Sequence, residues 1–183
     1  LFIEVTNKCN YRCIHCPSHT EMTRKRGIME FGLFTSIIDE LEEYWPHITI
    51  NMYKTGEPLL NPRIYDMIDY ANERNFFVQI NTNLGALKKK DIPRLLHHSY
   101  LGISLDAATP ETYKNIKQGK DFWSVLDILL DYLEAWGEDA GPDAYPCDVI
   151  FLKQPANEAE ADLFLEMFSK LPIGHIAVYP MHN

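Results

Sequence analysis

Short hydrophobic runs alternate with longer segments of helical periodicity along the chain. The runs are rich in β-branched and aromatic residues, as strands are. They are LFIEV (1–5), ITINMY (48–53), FFVQINT (76–82), YLGISL (100–105), CDVIFL (147–152) and HIAVY (175–179). Strands that alternate with helices form parallel sheets, because a parallel pair needs a long crossover connection. The pattern therefore predicts an α/β fold.

The segments between the runs carry apolar residues three and four positions apart, the spacing that gives a helix one buried face. They predict helices at 31–45, 62–74, near 88–98, at 110–136 with a break near Gly119, and at 157–171. The Gly- and Pro-rich stretch 137–146 predicts a surface loop. Six strands with outer helices predict a partial (β/α)6 TIM-like barrel, whose functional loops follow the carboxyl ends of the strands. His97 and His98 lie in the third predicted helix, away from these loops, and receive no chemical role.

Composition narrows the class of protein. With 183 residues, of which 46% are hydrophobic, the chain can bury one core, so we expect a single domain over 1–183. The net charge of -9 argues against nucleic acid as a partner. No apolar run approaches the roughly 18 residues that cross a membrane, and the few cysteines do not resemble a disulfide framework, so we expect a cytoplasmic protein. The strand-like ends predict a fragment of a longer protein.

Three of the four cysteines stand close together directly after the first predicted strand. Cys9, Cys13 and Cys16 are spaced C-x3-C-x2-C. A structural zinc site needs four ligands, which His15 or His19 could complete. An iron–sulfur cluster held by three cysteines instead leaves one iron open to an external ligand. Buried thiols without a metal are a third interpretation, and the spacing alone does not decide between zinc and a cluster.

The cysteine spacing, with the aromatic His15 directly before the last cysteine, resembles the radical S-adenosylmethionine (SAM) superfamily. The resemblance implies that Cys9, Cys13 and Cys16 hold a [4Fe-4S] cluster whose fourth iron is chelated by SAM. It also implies reductive cleavage of SAM to a 5'-deoxyadenosyl radical, which takes a hydrogen atom from a substrate. A protein such as flavodoxin or ferredoxin would supply the electron. Tyr11 lies on the same loop, and His15 would contact adenine.

Two further motifs extend the resemblance along the chain. KTGEPLLNP (54–62) is similar to the Gly-Gly-Glu-Pro motif that holds the amino group of SAM, with Thr55 in place of the first glycine. The resemblance assigns SAM contacts to Thr55, Gly56, Glu57 and Pro58. NTN (81–83) is similar to the Thr-Asn-Gly motif and assigns a site role to Asn83, although Leu84 stands where glycine is usual.

The fourth predicted strand ends in ISLDAATPETYKNIKQG (103–119), similar to the Ser-x-Asp segment that meets the ribose and the carboxylate of SAM. Ser104 and Asp106 alternate with one residue between them, so both are expected on one face of the strand. Lys117 stands where relatives often carry arginine. Thr109 and Pro110 predict the start of a helix. Gln154 and Asn157 follow the fifth strand, where the resemblance places residues that line the adenine and substrate pocket. Asn157 is instead predicted to cap the next helix.

The resemblance is greatest to the branch whose barrel is followed by a cysteine-rich auxiliary-cluster domain of the SPASM or twitch type. Such a domain would lie beyond residue 183, because Cys147 is isolated. This branch implies a peptide, protein or small-molecule substrate. The alternative is a non-catalytic zinc or iron–sulfur module, structural or electron-transferring, in which the protein supplies every ligand. The sequence identifies no catalytic acid or base.

Overall fold

The computed structural model describes residues 1–96, 99–137 and 145–181, and within these ranges it contains one five-stranded sheet. The strands are β1 (Thr49–Asn51), β2 (Phe77–Thr82), β3 (Tyr100–Ser104), β4 (Cys147–Lys153) and β5 (His175–Pro180). They lie in the order β1-β2-β3-β4-β5, and each neighbouring pair is parallel. The α/β class with parallel strands and outer helices is confirmed.

The helices follow the predicted segments with shifts at their ends, except for the short first helix, which was not predicted. They are α1 (Pro17–Thr20), α2 (Phe31–Tyr44), α3 (Ile64–Asn72), α4 (Pro110–Lys117), α5 (Phe122–Gly137) and α6 (Ala161–Phe168). The break predicted near Gly119 is confirmed, because α4 ends where Gln118 adopts a left-handed conformation with φ 48°. No helix in the described ranges has the length and apolarity needed to span a membrane.

Two predicted elements are shorter than expected. In the segment 88–98, the described part forms a 3₁₀ helix at Lys89–Arg94, where Pro93 lacks the amide hydrogen that an α-helix would use. The segment 157–171 begins with a 3₁₀ turn at Glu158–Glu160 before α6. His97, His98 and positions 138–144 of the predicted loop lie outside the described residues.

The prediction of a first strand at 1–5 is wrong, since this run makes only a bridge from Phe2 to Asn51 of β1. The ladder ends because the carbonyl of Val5 is taken by other partners. It accepts from the backbone N–H of Met29 at 2.9 Å and from Nδ2 of Asn61 at 3.0 Å. The run still lies beside β1, so the cysteine loop that follows it begins at the carboxyl edge of the sheet.

The two faces of the sheet differ in polarity. One face is buried under the helices, with α3 packed on β2 and α6 packed on β4 and β5. It carries Ile50, Val78, Ile80, Leu101, Ile103, Val149 and Phe151. The other face carries polar side chains, Asn51, Gln79, Asn81, Ser104 and Asp148, together with apolar ones such as Phe77, Ile150 and Leu152. Alternation of side chains along each strand separates the two faces and places these polar groups inside the partial barrel.

The buried face predicts a stability difference between two phenylalanines. Phe151 is 0% exposed and its ring lies 4.8 Å from that of Phe164, whereas Phe77 is 56% exposed. We expect Phe151→Ala to lower the free energy of unfolding by about 3–5 kcal/mol, because it leaves a cavity. Phe77→Ala should change it by about 0.5 kcal/mol or less. Urea unfolding measures both, and equal losses would contradict this assignment of faces.

Candidate active site

A cavity of about 510 Å³ opens at the carboxyl ends of the strands, within the range of about 300–1,000 Å³ typical of small-molecule sites. Every predicted site residue except Pro58 lines it: Cys9, Cys13, His15, Cys16, Thr55, Gly56, Glu57, Asn83, Ser104, Asp106 and Lys117. Pro58 instead begins a buried 3₁₀ turn at Pro58–Leu60. The tertiary structure thus brings together residues from four separate segments of the chain.

The three clustered cysteines are free, half-buried thiols on one wall of the cavity. The Sγ atom of Cys9 accepts a hydrogen bond from the backbone N–H of Tyr11 at 3.4 Å. The thiol of Cys13 lies 3.7 Å from the carbonyl of Lys117, and burial raises its pKa to about 11. The thiolate is the form that binds a metal, so an electrophilic group such as iron would stabilise the deprotonated form of Cys13 against this effect of burial.

The two metal alternatives differ in what they require of the cysteines. Three sulfurs on one zinc ion would each lie about 2.3 Å from the metal, whereas each cysteine of a cluster binds a different iron. Zinc would also need a fourth protein ligand. His19, one candidate for it, has its Nε2 hydrogen-bonded to the carbonyl of Tyr11.

Glu57 is 2% exposed and holds two strand ends together. Its Oε1 accepts from Oγ1 of Thr82 at 2.8 Å and from the backbone N–H of Leu59 at 3.1 Å. Its Oε2 accepts from the backbone N–H of Asn83 at 2.9 Å. Burial raises the pKa of this carboxyl, and the three donors oppose that shift. Oε2 keeps acceptor capacity on the cavity side, which an ammonium group of a ligand could use.

The segment after β2 keeps the backbone shape that glycine usually supplies. Leu84 occupies the position where the Thr-Asn-Gly motif has glycine, and its φ is 58°, in the left-handed region. A leucine there costs on the order of 1–2 kcal/mol. Burial of its side chain at 0% exposure offsets that cost. The turn directs Nδ2 of Asn83 to Oδ1 of Asn10 at 3.1 Å, beside the cysteine loop.

Gly56 is constrained by the chain itself. A Cβ atom at this position would lie 2.2 Å from the carbonyl oxygen of Thr6 and 2.8 Å from that of Lys8. The glycine is therefore required by the chain segment that leads into the cysteine loop, whether or not a ligand approaches it. Thr55, in place of the first glycine, hydrogen-bonds Glu4 through both its hydroxyl and its backbone N–H.

Asp106 and Lys117 form a buried ion pair beside the cysteines. Nζ of Lys117 donates to Oδ2 of Asp106 at 2.7 Å, and both side chains are 3% exposed. Burial opposes the charge on Lys117, but Asp106 and Cys13 outweigh it and raise the pKa of the ammonium. Oδ1 of Asp106 accepts from the backbone N–H of Leu152 at 2.8 Å. Lys117 therefore acts on a ligand mainly through Asp106.

Asp106 reaches the cavity by a route that the sequence does not show. β3 ends at Ser104, and Asp106 has a φ of 60°, so it is not part of the strand. Both residues nevertheless line the cavity, as expected. Thr109 caps α4 by accepting from the N–H of Thr112 at 3.3 Å, as predicted. Asn157 occupies the N-cap position of the 3₁₀ turn before α6, as predicted, but its side chain makes no capping bond. Its Nδ2 instead donates to the carbonyl of Asp106 at 2.8 Å.

His15 faces the cavity with a defined orientation. Nε2 of Gln154 donates to its Nδ1 at 3.1 Å, which leaves the proton of the neutral ring on Nε2. That nitrogen lies 4.0 Å from Oδ2 of Asp106. Burial lowers the pKa of the imidazole, and the Asp106 carboxylate opposes this. The neutral ring is thus a flat surface suited to contact with a nucleobase.

Sequence reasoning missed Asn81. It lines the cavity from β2, and its buried Oδ1 has no hydrogen-bond partner among the described residues. The side chain lies across Gly102, where a Cβ atom would be 2.2 Å from Oδ1. Alternation along β2 was the available signal, because Asn81 shares a face with Asn83, two residues away.

A family model described as "Radical SAM superfamily" matches residues 3–139, three quarters of the chain. The chain belongs to the radical SAM superfamily. The predicted superfamily is thereby confirmed, and with it the cofactors that this superfamily uses, a [4Fe-4S] cluster and SAM.

Two relatives and two solved structures illustrate the match. The tungsten-containing aldehyde ferredoxin oxidoreductase cofactor-modifying protein of Pyrococcus furiosus is 36% identical over 57% of this chain and 28% of its own length. The mycofactocin maturase MftC of Mycobacterium tuberculosis is 32% identical over 72% of this chain and 34% of its own length. Native anSMEcpe with bound AdoMet gives a TM-score of 0.79 at 13% identity, over 100% of this chain and 51% of that one. Streptococcus suis SuiB bound to SAM gives a TM-score of 0.74 at 14% identity, over 100% of this chain and 40% of that one.

The chain thus spans about a third of the length of these curated relatives. The solved structures establish the shared radical SAM fold, since their sequence identities to this chain are low.

The buried ion pair predicts a large effect of removing its cation. We expect Lys117→Met to lower the free energy of unfolding by about 3–5 kcal/mol, because Asp106 is left buried without its partner. Lys114→Met, an exposed change on the same helix, should alter it by about 0.5 kcal/mol or less. Urea unfolding of the metal-free protein measures both variants. Similar stabilities would contradict the assignment of a buried pair.

Proposed function

We propose that the protein cleaves SAM reductively at a [4Fe-4S] cluster and uses the resulting radical to abstract a hydrogen atom from a substrate. The observation that carries the proposal is the single cavity that combines three free thiols with Glu57, Ser104 and Asp106. Three thiolates leave one iron available to an external ligand, which SAM chelates through its amino and carboxylate groups.

The residues that line the cavity are assigned to the cluster and to separate groups of SAM. Cys9, Cys13 and Cys16 hold three irons, and the acceptor capacity left on Oε2 of Glu57 suits the ammonium of SAM. Ser104 and Asp106 suit hydroxyl groups of the ribose, and the His15 ring suits adenine. Thr55, Gly56, Pro58 and Asn83 support this wall through the backbone contacts described above, and Lys117 does so through Asp106.

When bound, the cluster would supply the electron for reductive cleavage of SAM to methionine and a 5'-deoxyadenosyl radical, the species that would accept the hydrogen atom of the substrate. A reductant such as flavodoxin or ferredoxin would deliver that electron. The protein's own contribution is to bind, to orient and to exclude water. Half-burial of the thiols and burial of Glu57, Asp106 and Lys117 favour that exclusion.

We propose a peptide as the substrate, with a small molecule as the second candidate. The peptide proposal is supported by the relative that is a mycofactocin maturase and by the similarity to SuiB bound to its precursor peptide SuiA. The small-molecule candidate is favoured by the similarity to BtrN in complex with AdoMet and 2-DOIA. We also propose an auxiliary-cluster domain of the SPASM or twitch type, supported by the similarity to the maturase MftC, of whose length this chain spans 34%. Cys147, 0% exposed in β4, would not be one of its ligands.

We further propose that this single-domain core, residues 1–183, works in the cytoplasm without nucleic acid or membrane as partners. Free thiols and a reducible cluster favour a reducing compartment. The electron-carrier alternative requires a fourth protein ligand at the open iron. His19 does not favour it, because its Nε2 is already bonded to the carbonyl of Tyr11.

The cluster is tested first. Anaerobic reconstitution with iron and sulfide should give a protein with a broad visible band that bleaches on reduction. Cys13→Ala should lose the band, because a ligand is missing, whereas Cys147→Ala should keep it, because Cys147 is buried in the sheet. Iron and sulfide per chain are the measurement. Stoichiometric zinc without iron uptake would overturn the proposal.

The binding of SAM is tested on the reconstituted protein. Adding SAM should change the electron paramagnetic resonance signal of the reduced cluster, and reductant with SAM should slowly form 5'-deoxyadenosine. Ser104→Ala should weaken SAM binding by about 0.5–1.5 kcal/mol, the value of one neutral hydrogen bond. Ser36→Ala, exposed on α2, is the matched control and should bind normally. A resonance signal that does not change when SAM is added would favour the electron-carrier alternative.

A further inference from the structure

Tyr11 is a buried aromatic residue on the loop that carries the cysteines. It lies between Cys9 and Cys13 in the sequence, and its side chain points away from solvent at 1% exposure. Its hydroxyl lies 3.2 Å from that of Tyr113 on α4, and the two rings meet edge to face with centroids 6.5 Å apart. The cysteine loop is therefore fastened to the barrel from its own centre.

Two glycines form the walls of the slot that holds this ring. A Cβ atom at Gly119, just after α4, would lie 2.3 Å from Cδ1 of Tyr11. A Cβ atom at Gly85, just after β2, would lie 2.5 Å from Cε1 of the same ring. Neither glycine has a positive φ, so close approach of the ring, and not backbone conformation, requires glycine at both positions. Two remote segments thus leave space for one side chain of the cysteine loop.

The same two walls also support the SAM side of the cavity. The last turn of α4 provides the carbonyl of Ile116, which accepts from the N–H of Ile14 at 3.0 Å, and it provides Lys117 of the buried ion pair. On the other wall, the N–H of Gly85 donates to Oδ1 of Asn83 at 2.8 Å. A ring seated between these walls therefore fixes the cysteines relative to both.

We propose that Tyr11 is a positioning residue, whose ring in the Gly85–Gly119 slot sets the cysteine loop against the barrel before the cluster binds. This inference rests on the proposed function for its cluster readout, but the position of the loop can be measured without iron. It differs from a purely packing role, in which Tyr11 would matter for the stability of the whole fold and not for the cysteine loop in particular.

The test places a methyl group in the slot. In Gly119→Ala, the ring is displaced while the barrel stays folded, so we expect the reconstituted protein to lose its cluster several-fold faster to an iron chelator. In the metal-free protein, trypsin should cut several-fold faster after Arg12, an exposed residue of the same loop. Gly32→Ala is the matched control, because a Cβ there meets nothing within 4 Å.

A double variant isolates the contact between the ring and the glycine. Tyr11→Ala removes the ring, so adding Gly119→Ala to it should cause no further loss of cluster and no further gain in cleavage. Tyr11→Phe keeps the ring and should retain its cluster like the unmodified protein. Circular dichroism should show the same folded barrel in all variants.

Four outcomes decide between a positioning role and the alternatives. Additive effects of Gly119→Ala and Tyr11→Ala, or normal cluster retention and normal cleavage in Gly119→Ala, would overturn the inference. A matching fall in unfolding stability without any change at Arg12 would show a packing role and would also overturn it. If the unmodified protein takes up no cluster, the proposed function fails, while cleavage at Arg12 still decides whether Tyr11 positions the loop.

Discussion

All strands of the described sheet run in the same direction, and this places the segments that follow them at one edge. The cysteine loop, the turn with Glu57, the turn with Asn83 and the loop with Asp106 all meet there. Helices cover only the outer face, so the inner face can stay polar and open to a ligand. The site is thus a consequence of parallel strand direction combined with one-sided burial.

The polar groups of this edge are paired with one another as well as exposed to the cavity. Glu57 receives donors from the end of β2, and Asp106 receives Lys117 and the N–H of Leu152. A buried charge without such partners would lower the stability of the fold by several kcal/mol. The partners therefore let acidic groups remain in a site shielded from water, and they fix those groups before a ligand arrives.

The site also depends on glycines whose backbone packs closely against other segments of the chain. Gly56, Gly85 and Gly119 each leave room for an atom of residues 6–11, the segment that enters and forms the cysteine loop. Three contacts from different parts of the chain thus converge on one loop. These contacts hold in place a loop that has little regular structure of its own, since the four-residue helix α1 lies only at its end.

Local sequence patterns predict the alternation of strands and helices, the break after α4, the cap at Thr109 and the clustering of the cysteines. These features depend on periodicity and on nearby residues. The contacts between separate segments follow only from the tertiary structure. The run at 1–5 pairs with β1 only at its start, and the carbonyl of Val5 bonds distant Met29 and Asn61. The side chain of Asn157 bonds the carbonyl of Asp106 and makes no capping bond. Gly56 leaves room for the backbone carbonyls of Thr6 and Lys8. In these cases the partner lies far away in the sequence, where a local pattern carries no information about it.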